Sequence, residues 1–111
     1  MKPARPATIR ILGKDWTIEP MSAEAQSMAD SCTFGTCLYG EQRLIIRPRT
    51  KVSVAISTLL HEILHAINDT QSAGLTEHQV ELMEASLYAV LADNGADCEW
   101  LAAPLRKARL I

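Results

Sequence analysis

The chain has 111 residues, of which 48% are hydrophobic and 22% are charged. A chain of this length supports one hydrophobic core, so the sequence predicts a single domain over residues 1–111. The formal net charge of −2 gives no electrostatic reason to expect a nucleic acid or an anionic membrane as partner. No apolar run reaches the roughly 20 residues that a membrane-spanning helix needs. The three cysteines are an odd number, which argues against a disulfide framework and favours the reducing cytoplasm.

The first part of the chain predicts a hairpin followed by a short helix. In residues 7–20 apolar and polar residues alternate around Gly13-Lys14, and glycine at the first loop position suits a two-residue turn. Residues 21–30 are rich in alanine, which predicts a helix with Ser22 as its N-cap.

Two further strands are predicted before the long helices. Residues 36–39 and 43–47 are rich in apolar and β-branched residues, and a turn at residues 40–42 joins them. Pro48 ends the second strand because proline cannot continue the ladder. Strands followed by helices indicate the α+β fold class.

The second half of the chain predicts helices. The first covers about residues 51–70, and Gly74 is placed for the helix end. Thr76 and Gln79 have the spacing of a capping box, and the helix that they open stops at Asn94.

Apolar residues on these helices predict which faces meet the core. In the first helix they recur at helical spacing: Ile56, Leu59, Leu60, Ile63, Leu64 and Ile67. In the second they fall on one side: Val80, Met83, Leu87, Val90 and Leu91. Residues 97–110 predict a short C-terminal helix that Pro104 interrupts, with Trp100, Leu101 and Leu105 packed on the core.

The pattern that says most about chemistry is H-E-x-x-H, formed by His61, Glu62 and His65. On a helix, two histidines four residues apart differ by about 40° in azimuth and about 6 Å along the axis. Both imidazoles can therefore reach one metal ion. Glu62 lies about 100° further round than His61, so it can reach a water in the metal's open position and act as general base.

Two histidines do not complete a catalytic zinc site, which usually takes three protein ligands. Asn68 and Gln71 stand where an extended motif has its glycine and third histidine, so the third ligand is expected from the next helix. There Glu77, Glu81 and Glu84 line one face. Antiparallel packing of the two helices favours Glu81 as ligand. A crossing arrangement favours Glu77, with Glu81 hydrogen-bonding a ligand histidine.

Three segments carry a resemblance to a known family: the helix around Leu59–Ile67, the strand Arg43–Arg47 before it, and the helix Thr76–Asn94 after it. With them the chain resembles the gluzincin metallopeptidases, in particular the very small single-domain zincins of phage and bacterial proteins. The resemblance implies a minimal zincin-like domain in which a small antiparallel or mixed sheet packs on the H-E-x-x-H helix and a following helix. Its edge strand would run beside the active-site cleft, and a glutamate of the following helix would be the third ligand. The chain departs from the family in having Glu77-x-x-x-Glu81 in place of Glu-x-x-x-Asp, and in lacking the C-terminal subdomain of larger members.

The expected function is zinc-dependent (Zn2+) hydrolysis of peptide or protein substrates in the cytoplasm, the host's if the protein is phage-encoded. Glu62 would take a proton from the attacking water and return it to the leaving amine. Tyr39, Tyr88 and His78 are the candidates to donate to the oxyanion, and the sequence assigns no oligomeric state. Two alternatives stay open: a zinc-stabilised binding or regulatory module of the same fold with little or no hydrolysis, and a metal-free structural domain.

Overall fold

Four strands and four α-helices are present in residues 7–29, 33–95 and 98–111, the part of the chain that the computed structural model describes. In chain order the elements are β1 (Ala7–Ile11), β2 (Lys14–Pro20), α1 (Ala23–Met28), β3 (Gly35–Leu38), a one-turn 3₁₀ helix (Tyr39–Glu41), β4 (Arg43–Ile46), α2 (Val52–Gln71), α3 (Glu77–Asp93) and α4 (Glu99–Lys107). This is the α+β class that the sequence predicts. None of the helices in these ranges has both the length and the apolar character that crossing a membrane requires.

The predicted hairpin is present, but its turn is placed one residue earlier than expected. Strands β1 and β2 pair antiparallel, and Ile11 lies opposite Lys14. The two loop residues are therefore Leu12 and Gly13, with φ angles of 48° and 84°. Positive φ at both loop positions is the type I′ turn, whose twist matches that of the flanking strands. Glycine thus occupies the second loop position rather than the first.

The four strands form one mixed sheet in the order β1-β2-β4-β3. Strand β4 pairs parallel with β2 and antiparallel with β3. The strand that resembled the family's edge strand, around residues 43–47, is therefore an interior strand. The edge strands are β1 and β3, and the first residue of β3 lies against α2.

Helix α1 is shorter than predicted. The Oγ of Ser22 accepts a hydrogen bond from the N–H of Ala25 at 3.1 Å, so the predicted N-cap is confirmed. Met21 stays outside the helix because its N–H is bonded to the carbonyl of Ile46 at 2.8 Å and its side chain is buried. The helix ends at Met28, and the predicted end at residue 30 lies outside the described residues.

Helix α2 packs its apolar stripe against the sheet and forms the centre of the core. All the predicted stripe residues are buried except Ile67, which is partly buried against the core. The strands contribute four almost fully buried side chains: Trp16, Ile18, Leu44 and Ile46. Each large apolar side chain that is buried contributes about 1.5–3 kcal/mol, so this contact sets the rotation of α2 about its axis. His61 and His65 are thereby turned away from the core, toward α3.

The end of α2 differs from the prediction. Ser72, not Gly74, takes the left-handed conformation that closes the helix, with φ of 51°. Gly74 is also left-handed, with φ of 70°, but it lies in the connection between the helices. The left-handed residues Ser72 and Gly74 bend the chain back toward α2. The side chain of Asn68 then holds the backbone of Leu75 close to the last turn of that helix.

Helix α3 begins at the predicted capping box. The Oγ1 of Thr76 accepts from the N–H of Gln79 at 3.1 Å, and the Oε1 of Gln79 accepts from the N–H of Thr76 at 2.9 Å. Asn94 is the C-cap, as predicted. The helix packs chiefly against α2, and Val80 is its one fully buried residue among those described. The prediction that its apolar side meets the core is wrong for Met83, Leu87 and Val90, which are exposed, as is Leu82.

Helix α4 runs continuously through Pro104, so the predicted interruption is wrong. Proline removes only one N–H donor, and the helix continues because Leu101 and Leu105 are both buried on the core face. Trp100 is 54% exposed, contrary to the prediction that it packs on the core. It lies about 100° from Leu101 around the helix, which points it to solvent.

Candidate metal centre

The two histidines of the H-E-x-x-H pattern lie side by side on α2. Their Nε2 atoms are 3.2 Å apart, and their ring centroids are 4.8 Å apart. Each side chain is 17% exposed, so the rings are partly covered yet open on one side. The facing ring nitrogens give the site two ligand atoms from one helical turn.

Glu77, the first residue of α3, faces both histidines. Its Oε1 lies 2.8 Å from Nε2 of His61, and its Oε2 lies 2.8 Å from Nε2 of His65. One ligand atom from each of the three residues falls within 4.8 Å of the others. This is the one group of three or more metal-ligating side chains within the described ranges.

Of the two carboxylates that the sequence left open, Glu77 is in this group and Glu81 is not. Glu81 lines the same cavity. A second carboxylate, that of Glu84, lies near the opposite nitrogen of the His61 ring, with its Oε1 3.8 Å from Nδ1. The spacing of seven residues between Glu77 and Glu84 was the signal for this arrangement, because it returns to the same line of the helix after two turns.

Asn68 positions the start of α3, a role that was not predicted from the sequence. Its Oδ1 accepts from the N–H of Leu75 at 2.9 Å, and its Nδ2 donates to the carbonyl of Leu75 at 3.3 Å. Together with the Thr76 capping box, these bonds place Glu77 over the histidines. The available signal was an asparagine near a helix end, where its side chain often bonds to the backbone of a turn.

Glu62 lines a cavity together with His61 and Glu77 and is 5% exposed. Burial raises the pKa of its carboxyl to about 7, with nearby His61 opposing the rise and Glu77 adding to it. Among the described residues, no side chain donates a hydrogen bond to this carboxylate. A buried carboxylate without donors is a strong proton acceptor near neutral pH.

A cavity of about 300 Å³ opens beside Glu62 and His61. Its other lining residues come from α2, α3 and the edge of the sheet: Thr33, Phe34, Gly35, Thr58, Glu77 and Glu81. A second hollow of about 520 Å³ adjoins it between α2 and α3 and shares Phe34 and Thr58. Further along it is lined by Val54, Ala85, Tyr88 and Ala89, among others.

The three residues predicted as oxyanion donors lie in different places. Tyr39 follows β3, and burial raises its pKa, with smaller contributions from charges that include Glu62 and Glu77. Tyr88 lines the second hollow instead of the first. His78 is exposed on the first turn of α3.

The donor set fits a zinc ion. Two imidazole nitrogens and one carboxylate oxygen form a ligand set of catalytic zinc sites, with the fourth position open. Two nitrogens bound to one zinc in a tetrahedron lie about 3.3 Å apart, and the Nε2 atoms of His61 and His65 are 3.2 Å apart. The carboxylate oxygens of Glu77 lie 2.8 Å from the Nε2 atoms, slightly closer than two ligands of one zinc ion would lie. The side chain of Glu77 is 58% exposed, so it has room to move away.

Comparisons of this chain with protein families, with curated proteins and with solved structures return no match.

Proposed function

We propose that this protein is a zinc-dependent metallopeptidase with a minimal zincin-like domain. The observation that carries the proposal is the meeting of His61, His65 and Glu77 at a cavity that the buried Glu62 also lines. His61 and His65 would bind zinc through their Nε2 atoms, and Glu77 would bind it through a carboxylate oxygen. The free thiols of Cys37 and Cys98 are consistent with a reducing compartment, and we assign the activity to the cytoplasm.

Zinc at this position would polarise a peptide carbonyl and lower the pKa of a bound water to about 7. Glu62 is the general base in this scheme. It accepts the proton of the attacking water and then donates it to the amine as the peptide bond breaks. Its burial beside His61 supports this role, because in the metal-free protein burial raises the pKa of its carboxyl to about 7, and such a group accepts a proton readily.

The substrate we propose is a peptide in extended conformation. Strand β3 is an edge strand that borders the cavity through Gly35, so a peptide can pair with it by strand addition. A side chain of that peptide would enter the adjoining hollow, where Ala85 and Ala89 leave room for it.

The test of the site is the zinc content of the purified protein and of three variants. His65→Ala and Glu77→Ala are expected to lose bound zinc, and Glu81→Ala is the matched control that keeps it. A loss of zinc in Glu81→Ala with retention in Glu77→Ala would reverse this assignment. Absence of zinc from the wild type would favour a metal-free structural domain instead.

The test of the activity is a broad peptide-cleavage screen with a chelator control. Wild-type protein is expected to cleave, and Glu62→Gln is expected to keep zinc and to lose cleavage. Unchanged turnover in Glu62→Gln would show that Glu62 is not the general base.

A second candidate function is a zinc-stabilised binding or regulatory module. The apolar side chains that α3 exposes favour it, since such side chains often contact a partner. A protein that binds zinc but cleaves nothing in the screen would be of this kind.

A further inference from the structure

Gly35 begins the edge strand β3, and its backbone does not require glycine. Its φ lies outside the left-handed region, unlike that of Gly13, Gly74 and Gly95. A glycine inside or at the start of a strand costs stability relative to other residues, because more backbone entropy is lost on folding. The reason for glycine at this position must therefore be the space around it.

That space is filled by two side chains of α2. A Cβ added to Gly35 would lie 2.9 Å from Oε2 and 3.2 Å from Cγ of Glu62. It would also lie 2.8 Å from Cγ2 of Thr58. Cβ atoms essentially never come within 3.0 Å of such atoms in proteins, so one of the neighbours would have to move.

The neighbour that is able to move is Glu62. Thr58 is β-branched, and its Oγ1 donates to the carbonyl of Val54 at 2.7 Å, so its rotamer is held. Strand β3 is held by its pairing with β4, in which Gly35 lies opposite Ile46. The Glu62 carboxylate has no hydrogen bond among the described residues and borders the cavity.

We propose that Gly35 is a positioning residue for the general base. By carrying no side chain, it leaves the space in which the Glu62 carboxylate lies, between the edge strand and the histidine group. Any side chain at this position would push the carboxylate into the cavity and away from its working place. The role in catalysis rests on the proposed function, whereas the packing of Gly35 against Glu62 is tested separately below.

The first experiment compares Gly35→Ala with Gly40→Ala. Gly40 is a matched control because a Cβ there meets nothing within 4 Å and its φ is not positive. Gly35→Ala is expected to lower kcat by on the order of 10- to 100-fold, with KM and zinc affinity close to wild type. Zinc affinity should be unaffected because Gly35 does not belong to the group of His61, His65 and Glu77. Equal kcat in the two variants, or loss of zinc from Gly35→Ala, would overturn the proposal.

The second experiment separates Glu62 from Thr58. Thr58→Ser removes the Cγ2 that the new methyl group would meet and keeps the hydroxyl that bonds to Val54. The double variant Gly35→Ala/Thr58→Ser is expected to remain as slow as Gly35→Ala. Recovery of kcat to the level of Thr58→Ser would assign the effect to Thr58 and contradict the proposal.

The third experiment needs no activity. The free energy of unfolding is measured in the presence of a chelator for Gly35→Ala in the Thr58→Ser and Thr58→Ser/Glu62→Ala backgrounds, so that the contact with Cγ2 of Thr58 is absent from both. The loss caused by Gly35→Ala is expected to be much smaller when Glu62 is alanine, because the methyl group then enters vacated space. Equal losses in the two backgrounds would refute the packing relationship. Should Gly35→Ala/Thr58→Ser fail to fold, Gly35→Ala/Thr58→Ser/Glu62→Ala is expected to fold, and its failure would count against the proposal as well.

This cycle also distinguishes a failure of the proposed function from a failure of the packing between Gly35 and Glu62. A wild type that binds no zinc and cleaves no peptide would end the proposed function. The coupling between Gly35 and Glu62 in the unfolding free energy would still be measured in that case.

Discussion

The carboxylate of Glu84 and the ring of His61 lie next to each other, with Oε1 of Glu84 3.8 Å from Nδ1 of His61. The other nitrogen of the same ring, Nε2, lies 2.8 Å from Glu77. One histidine is therefore placed between two carboxylates of α3 that are two helical turns apart. If Nε2 binds a metal, Nδ1 carries the proton, and the Glu84 carboxylate at 3.8 Å is the acidic group near it.

Glu84→Gln is therefore expected to weaken zinc binding by about 10- to 100-fold. Glu81→Gln is the matched control, because Glu81 is on the same helix and borders the same cavity but does not belong to the group of facing ligands. Competition with a chromophoric chelator measures both dissociation constants. Similar dissociation constants for the two variants would show that Glu84 does not support His61.

Asn68→Ala is expected to destabilise the protein and to loosen the site together. The variant loses both hydrogen bonds to the backbone of Leu75. The N–H and the carbonyl of Leu75 then have no side-chain partner. The expected loss in the free energy of unfolding is about 1–3 kcal/mol, measured by denaturant titration with chelator present. Zinc affinity should fall as well, because Glu77 lies two residues beyond Leu75.

The control for Asn68 is Asn94→Ala. Asn94 also donates from its side chain to a backbone carbonyl, that of Val90 at 2.8 Å, but at the far end of α3. It is expected to lose some stability with unchanged zinc affinity. Unchanged zinc affinity in Asn68→Ala would mean that the turn does not position Glu77.

The zinc-free protein is expected to lose stability as the pH rises from about 4.5 to about 7, because the pKa of Glu62 is raised from 4.5 to about 7. A carboxyl with a raised pKa in the folded state binds more protons folded than unfolded, so its contribution is fully present below the unfolded pKa. That contribution falls as the pH passes through the folded pKa. Glu62→Gln carries no ionisable group at this position and should be more stable than wild type at pH 8.

The measurement for Glu62 is urea unfolding of both proteins at pH 5 and pH 8 with a chelator present. The free energy of unfolding of Glu62→Gln, relative to that of the wild type, should be higher at pH 8 than at pH 5. A difference that is the same at both pH values would show that Glu62 titrates as an ordinary carboxyl.

Cys37 is expected to react slowly with alkylating reagents in the folded protein. Burial, followed by the charges of Glu62 and Asp69, raises its pKa from 9.0 to about 12. Because only the thiolate reacts, the reactive fraction at pH 8 falls about a thousandfold for a rise of this size. Mass spectrometry after timed alkylation, with the denatured protein as reference, measures the rate at Cys37. Equal rates in the folded and denatured protein would contradict the burial of this thiol.

Much of the local structure was predictable from sequence because it depends on neighbouring residues. The hairpin around Gly13, the Ser22 N-cap and the capping box of Thr76 all follow from short-range hydrogen bonding and backbone preference. The side-by-side arrangement of His61 and His65 follows from the pitch of a helix. Two of the errors were also local: Ser72 closed α2 in place of Gly74, and Pro104 did not interrupt α4. The position of β4 inside the sheet was a long-range error, because strand order depends on packing between separate elements.

What the sequence by itself determined was the pair of histidines, the acidic residue between them and the helix that carries all three. Only the tertiary structure decided that Glu77 faces the histidines, that Glu84 lies 3.8 Å from His61 and that Gly35 lies against Glu62. The physical reason is that helix periodicity relates residues within one helix, whereas these relationships join separate elements. They depend on the angle between α2 and α3 and on which strand forms the sheet edge, and long-range packing sets both.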